Sequence, residues 1–306
     1  VRFHRPGVAL ALAALLAAAC APTAPPRVAP AEAVVEVAPP APPPVPEAPQ
    51  EPPAPAPEPP RWPPATPGLR SAFCLEGVME TLAEDACYVL PDRPTRTLLV
   101  YLPGLMPPNV ESPEKRTVET VVANAARRAG VAALVPRGPS RDELASPDRD
   151  PKGLGAWRSW PTSDTAYVRH ARRLVEHIRQ QRRALEALAG APFERVLLGG
   201  SSAGAYFVAH LALRGDFPAD GYVVVSGGSA RPAPHLGDLP ASPLYVGYGD
   251  GDIVGPRAQE MAAQARAAGW NVRVAVHHTG HGSREVYLDE AFAHFGIEAP
   301  GRSAGP

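Results

Sequence analysis

Arg195-Val-Leu-Leu-Gly-Gly-Ser-Ser-Ala-Gly-Ala-Tyr-Phe-Val-Ala-His-Leu-Ala-Leu213 runs from a strand-like stretch through a glycine-rich turn into a helix-like stretch with nothing between them. Within it, Gly200-Ser201-Ser202-Ala203-Gly204 has the pattern Gly-x-Ser-x-Gly. At that spacing a serine sits on a strained strand-to-helix turn, and the flanking glycines let strand and helix approach closely. Ser202 then projects its hydroxyl above the sheet. Ser201 competes for the register, but only Ser202 has a glycine two residues away on both sides. A helix starting at Ala203 also aims a backbone N–H and its positive dipole end at a developing oxyanion. A plain tight turn is the alternative for the bare pentapeptide; the framing strand and helix favour a nucleophile.

Outward from this turn, short β-branched and leucine-rich runs alternate with longer Ala- and Arg-rich amphipathic segments. Such alternation predicts an α/β domain with a mostly parallel sheet and helices on both faces. Expected strands are 97–102, 131–135, 195–198, 221–225, 243–247 and 271–276, each short enough for a buried strand. Expected helices are 114–129, 165–189, 203–213, 256–268 and 284–295. In the longest of these, Tyr167, Val168, Ala171, Leu174, Val175, Ile178, Leu185 and Leu188 form one apolar stripe, and Gly190 stops the helix. Its arginines, Arg169, Arg172, Arg173, Arg179, Arg182 and Arg183, read as a solvated face or as a site for an anionic partner.

A serine hydroxyl is a poor nucleophile until a base takes its proton and a third group orients that base. After the strand at 243–247 comes Tyr248-Gly-Asp-Gly-Asp-Ile-Val254, with two carboxylates where open α/β sheets place their sites. After the strand at 271–276 comes His277-His-Thr-Gly-His-Gly282, a histidine-rich loop suited to a mobile proton. Asp250 and Asp252 compete as the acid; His277, His278 and His281 compete as the base. A metal held by the three histidines is a further reading, which lacks an acidic ligand within the motif.

With serine, acid and histidine in this order at three strand ends, the chain resembles the α/β-hydrolase superfamily over about residues 97–295. The resemblance implies an α/β-hydrolase fold and a serine hydrolase without a cofactor. The family's acid usually lies three residues after a glycine and before a hydrophobic pair. Gly249, Asp252 and Ile253-Val254 match that and select Asp252. The family's Gly-His pair selects His281. Its oxyanion donors map to the backbone amides of Leu105 and Ala203, although Pro103 replaces the usual histidine in Leu102-Pro-Gly-Leu105. The glycine-rich motif looks most like small carboxylesterases, feruloyl-esterase and polyhydroxybutyrate-depolymerase relatives. Peptidase or thioesterase activity on the same triad, and a non-catalytic envelope-binding lipoprotein, are the competing functions.

Between the second and third of these parallel strands lies a long insert, Pro136 to Asp164, and loops of that length are often functional. Trp157 and Trp160 on it are candidate substrate contacts or hydrophobic packing. The segment Gly227 to Ser242, where many relatives carry a lid, is short and predicts an open site.

The remaining chain addresses location. Arg2 and Arg5 precede the apolar run Val8 to Ala19, which ends at Cys20, giving a signal peptide over residues 1–20. Cys20 after three alanines resembles a lipobox, so a lipid anchor to a membrane is expected; plain secretion with cleavage near Ala19 is the alternative. Residues 21–66 hold nearly half of the chain's 41 prolines and predict an extended linker before a hydrolase domain at 67–300. Cys74 and Cys87 are the remaining pair of the three cysteines and, in an exported protein, are expected to form a disulfide; two buried thiols are the alternative. Lys plus Arg is 30 and Asp plus Glu is 31, so no long-range field favours nucleic acid. The expected partner is a small-molecule or polymer ester, with no metal.

Overall fold

The computed structural model describes residues 74–82, 86–108, 112–144, 154–229 and 236–297. Cys20, the expected signal peptide at 1–20 and the expected linker at 21–66 lie outside the described residues. The elements follow in the order β1 (Glu80–Leu82), β2 (Ala86–Val89), β3 (Thr97–Leu102), α1 (Pro113–Ala129), β4 (Ala132–Pro136), α2 (Arg141–Leu144), α3 (Asp164–Ala189) and β5 (Arg195–Ser201). Then come α4 (Ala203–Arg214), β6 (Gly221–Val225), β7 (Leu244–Gly249), α5 (Gly255–Ala267), β8 (Val272–His277) and α6 (Glu285–His294).

The eight strands form one sheet in the order β1-β2-β4-β3-β5-β6-β7-β8. β2 pairs antiparallel with both β1 and β4, and every pairing from β4 to β8 is parallel. Period-two alternation divides the side chains between two cores. Leu98, Val100 and Leu102 of β3 join the layer that includes α3, α4 and α5 residues, while Leu99 and Tyr101 join the layer that includes α1 and α6 residues. Both faces of the central strands are therefore dry, which is why they read as continuous apolar runs.

The helices carry local reasons for their ends. Ser112 caps α1 by accepting the Lys115 N–H at 3.1 Å, and Ser163 caps α3 through the Ala166 N–H at 3.3 Å. Gly130, Gly190 and Gly215 close α1, α3 and α4 in the left-handed conformation that glycine adopts without a Cβ penalty.

At the front edge a disulfide joins Cys74 to Cys87 of β2. The Leu75 N–H donates to Glu119 of α1 at 2.6 Å, and Lys115 pairs with the same carboxylate at 2.7 Å. Burial raises the Glu119 carboxyl, with the Lys115 contacts and the Leu75 N–H opposing that shift.

The six strands and five helices expected from the pattern are present, with ends displaced by no more than a few residues. The β1–β2 hairpin and α2 are additional: β1 is only three residues long, begins with the exposed Glu80, and gives no alternation to read.

Candidate active site

β5 is buried from Val196 to Ser201, and its next residue turns the chain into α4. Ser202 occupies that turn with φ 51° and ψ −120°, a conformation that L-residues rarely hold. The flanking glycines are required by contact. A Cβ on Gly204 would lie 1.9 Å from the Leu102 carbonyl oxygen, and one on Gly200 would lie 2.8 Å from the same atom. β5 and β3 are in register at Gly200 and Leu102, so the glycines admit the β3 carbonyl at the crossing. The turn is held by the Ser202 N–H, which donates to Val225 at 3.0 Å. Ser201 instead points into the buried layer and hydrogen-bonds the Tyr101 hydroxyl, which also meets Ser283 at 2.8 Å.

The chain after β3 passes directly over this turn. A Cβ on Gly104 would meet the Ser202 Cβ at 2.9 Å and its Oγ at 3.5 Å. Among the described residues, the Leu105 and Ala203 N–H groups donate no hydrogen bond within the protein. Two donors beside one hydroxyl, one of them at the N-terminus of a twelve-residue helix, can receive a negatively charged oxygen.

His277 at the end of β8 and His278 and His281 in the loop after it each meet a different carboxylate. His277 lies 3.2 Å from Glu290, His278 lies 2.7 Å from Asp250, and His281 Nδ1 lies 3.1 and 3.0 Å from the two oxygens of Asp252. Exposure separates the last two pairs. The side chains of His278 and Asp250 are 98% and 51% exposed, while Asp252 is 1% exposed beneath a His281 that is 48% exposed. Asp250 and His278 thus make a solvated surface pair, whose bond lowers the Asp250 carboxyl and raises the His278 imidazole. Among the described residues no three His, Cys, Asp or Glu side chains gather as a metal-binding group.

Burial by itself raises the Asp252 carboxyl. Hydrogen bonds from His281, the Val254 N–H and the Ser226 hydroxyl outweigh that and leave it below the usual aspartate range. The acid is therefore ionised at neutral pH and can only accept, so His281 Nδ1 carries the proton and Nε2 is left as the basic nitrogen. Among the described residues the Ser202 hydroxyl makes no hydrogen bond with His281. Such nucleophile–base bonds are often long before substrate binds.

Sequence reasoning missed Ser226. It is fully buried just after β6, with φ 50°. Its N–H donates to Gly247 at 2.8 Å, its Oγ accepts the Gly282 N–H at 3.0 Å, and its hydroxyl bonds Asp252. One serine thus ties the acid turn to the base loop, one residue past the Val225 carbonyl that anchors Ser202. The available signal was a serine followed by two glycines at a strand end.

The two tryptophans of the insert differ. Trp160 is 2% exposed and stacks on Phe207 of α4, with ring centroids 5.6 Å apart and 12° between planes. It also lines a small cavity with Pro103, Gly104, Met106 and Val135. Trp157 is half-buried in the turn before Arg158, whose backbone pairs with Met106 in both directions at 2.8 and 2.9 Å. Ile253, next to the acid, is 93% exposed. Residues 145–153 of the insert and 230–235 of the short β6–β7 segment lie outside the described residues.

No protein-family model matches the chain, and no curated protein matches it. Among solved structures it is similar to esterase PE8, at 17% identity over 68% of this chain and 96% of that one, with a TM-score of 0.48. It is also similar to Arabidopsis thaliana SOBER1, at 16% identity over 65% and 97% with a TM-score of 0.48. A third is a hormone-sensitive lipase from a metagenome library, at 15% identity over 73% and 87% with a TM-score of 0.47. By its own sheet order, with a Gly-x-Ser-x-Gly turn after β5, an acid after β7 and a histidine after β8, the chain has the α/β-hydrolase fold.

Proposed function

We propose that this protein is a serine hydrolase of carboxylic esters. The observation that carries the reading is the Ser202 backbone, φ 51° and ψ −120°, held at a strand-to-helix turn beside two unbonded N–H groups. Strain of this kind persists only where surrounding structure over-determines it, and it clusters at functional sites.

The chemistry follows the serine–histidine–acid pattern. Ser202 Oγ attacks the ester carbonyl as its proton passes to His281 Nε2. Electron density moves to the carbonyl oxygen, which the Leu105 and Ala203 N–H groups receive. Collapse of the tetrahedral species breaks the bond to the alcohol, which leaves with the proton from His281. Water then attacks the acyl-enzyme, giving its proton to His281, and Ser202 departs with it as the carboxylic acid is released. Asp252 keeps the imidazole in the tautomer this requires and stabilises its charged form.

We also place the protein outside the cytoplasm, held to a membrane by a lipid on Cys20 with residues 21–66 as spacer. Support comes from the signal-like N-terminus and from the Cys74–Cys87 disulfide, which suits an oxidising compartment.

Hydrolysis of p-nitrophenyl butyrate by the protein, with a burst of nitrophenol equal to the enzyme concentration, tests the activity. Ser202→Ala should abolish the burst and lower turnover roughly a thousandfold or more. Equal turnover by that variant would refute the reading.

A further inference from the structure

An arginine-lined groove opens beside the site. One wall is the segment after β4, with Arg137 and, on the returning chain, Arg158; the other is α3, which contributes Arg169, Arg172 and Arg173. Among the described residues that line the groove, two carboxylates stand with these guanidinium groups. Glu143 lies 3.6 Å from Arg158 and 3.9 Å from Arg173, while Glu176 is engaged at 2.7 Å by Arg183. Arg169 and Arg172 make no ion pair among the described residues. The resulting field is felt by His170: burial lowers its imidazole, and Arg173 and Arg169 lower it further.

The groove borders the serine turn through one small cavity. That cavity shares Arg137, Gly138 and Arg158 with the groove and is also lined by Pro103 and Gly104, and Gly104 sits against Ser202. β4 is two strands from β5, so the chain leaving it stands roughly 10 Å from the Ser202 turn at ordinary strand spacing. Arg169, Arg172 and Arg173 have the i, i+3, i+4 spacing of one helix face, which lines up forked donors suited to carboxylates along a path away from the serine.

We propose that this groove binds carboxylates carried by the substrate, so that the preferred ester is anionic at a distance from its scissile carbonyl. The inference rests on the hydrolase reading for its connection to Ser202. It favours a carboxylate-bearing substrate over an anionic membrane surface because the arginines line a recess between two walls, which a flat bilayer cannot enter.

The test compares p-nitrophenyl hydrogen suberate with its neutral methyl ester. The wild type should show about tenfold lower KM for the acid form at low ionic strength, with similar kcat, and the preference should shrink as salt screens it. Arg169→Glu/Arg172→Glu should lose the preference while hydrolysing the neutral ester normally. Arg93→Glu/Arg179→Glu, with the same change of charge outside the groove, should keep it. Equal KM for both esters in the wild type, or loss of the preference in both double variants alike, would overturn the proposal.

A second readout does not need turnover. Fluorescein-labelled oligoglutamate should bind the wild type by anisotropy and lose at least about tenfold in affinity in Arg169→Glu/Arg172→Glu but not in the control. Should neither ester be hydrolysed, the hydrolase reading fails and this measurement alone judges the groove. Binding to phosphatidylglycerol vesicles without binding to the peptide would assign the arginines to a membrane and refute the proposal.

Discussion

His281 Nδ1 contacts both carboxylate oxygens of Asp252, at 3.0 and 3.1 Å, and the acid is buried beneath a base that remains open to solvent. The polarity of that pair matters. The buried Asp252 carboxylate holds the imidazole, and the His281 side chain stays half exposed to solvent. The neighbouring Asp250–His278 pair has the shorter contact, yet both members are exposed and water can satisfy either one alone.

Asp252 gives the protein a defined acid sensitivity. Its folded carboxyl lies below the ordinary value, so its contribution to stability is present above the unfolded pKa and is lost as pH falls through the lower folded one. Asp252→Asn should therefore flatten the decline in urea midpoint below about pH 4, where the wild type loses stability. The same variant should cut esterase turnover by roughly 10³- to 10⁴-fold at neutral pH, because an amide no longer enforces the tautomer.

Gly204 tests the turn that carries Ser202. Gly204→Ala drives a Cβ to 1.9 Å from the Leu102 carbonyl oxygen, so strand and helix must separate. We expect a loss of about 3 kcal/mol in unfolding free energy and of most activity in the protein that still folds. Gly251→Ala is the control, since a Cβ there meets nothing within 4 Å. Denaturant titration of both variants checks this.

Ser226 is expected to act as a positioning residue. Ser226→Ala removes one of the bonds that lower the Asp252 carboxyl and the acceptor for the Gly282 N–H. A hydrogen bond to a charged group is worth about 1.5–3 kcal/mol, so kcat should fall at least about tenfold with KM nearly constant. A fall in stability with unchanged kcat would make the serine merely structural.

Reduction of the Cys74–Cys87 bond should lower stability without touching catalysis. The closed loop is short, with a sequence separation of 13, which corresponds to about 3 kcal/mol in the chain-entropy model. Thermal melts of Cys74→Ala/Cys87→Ala against the wild type, with esterase activity measured below the transition, check both halves.

Much of the fold was legible because β3 to β7 are buried on both faces, while β8 closes the sheet as a partly exposed edge strand, and the longer helices carry clear stripes. The Ser202 turn announced itself through paired glycines whose role is steric. The β1–β2 hairpin was not legible: its pairing depends on the partner strand β4 and on the disulfide rather than on a pattern of its own. Sequence also left Asp250 against Asp252 and three histidines open before the family resemblance was applied. Separating these pairs by residue type is impossible; they differ in burial, which is a property of the assembled sheet end. Ser226 escaped for the same reason, since its contacts come from residues 21 and more positions away. Trp160 was open between substrate contact and packing; its ring stacks on Phe207 and also lines the small cavity beside Gly104.

The most direct test of the central claim is covalent labelling. The protein treated with a fluorophosphonate probe and digested should carry the adduct on the peptide containing Ser202, and both Ser202→Ala and His281→Ala should abolish it. Folded wild-type protein that remains unlabelled, or that is labelled on another residue in Ser202→Ala as strongly as in the wild type, would contradict an activated serine at this turn.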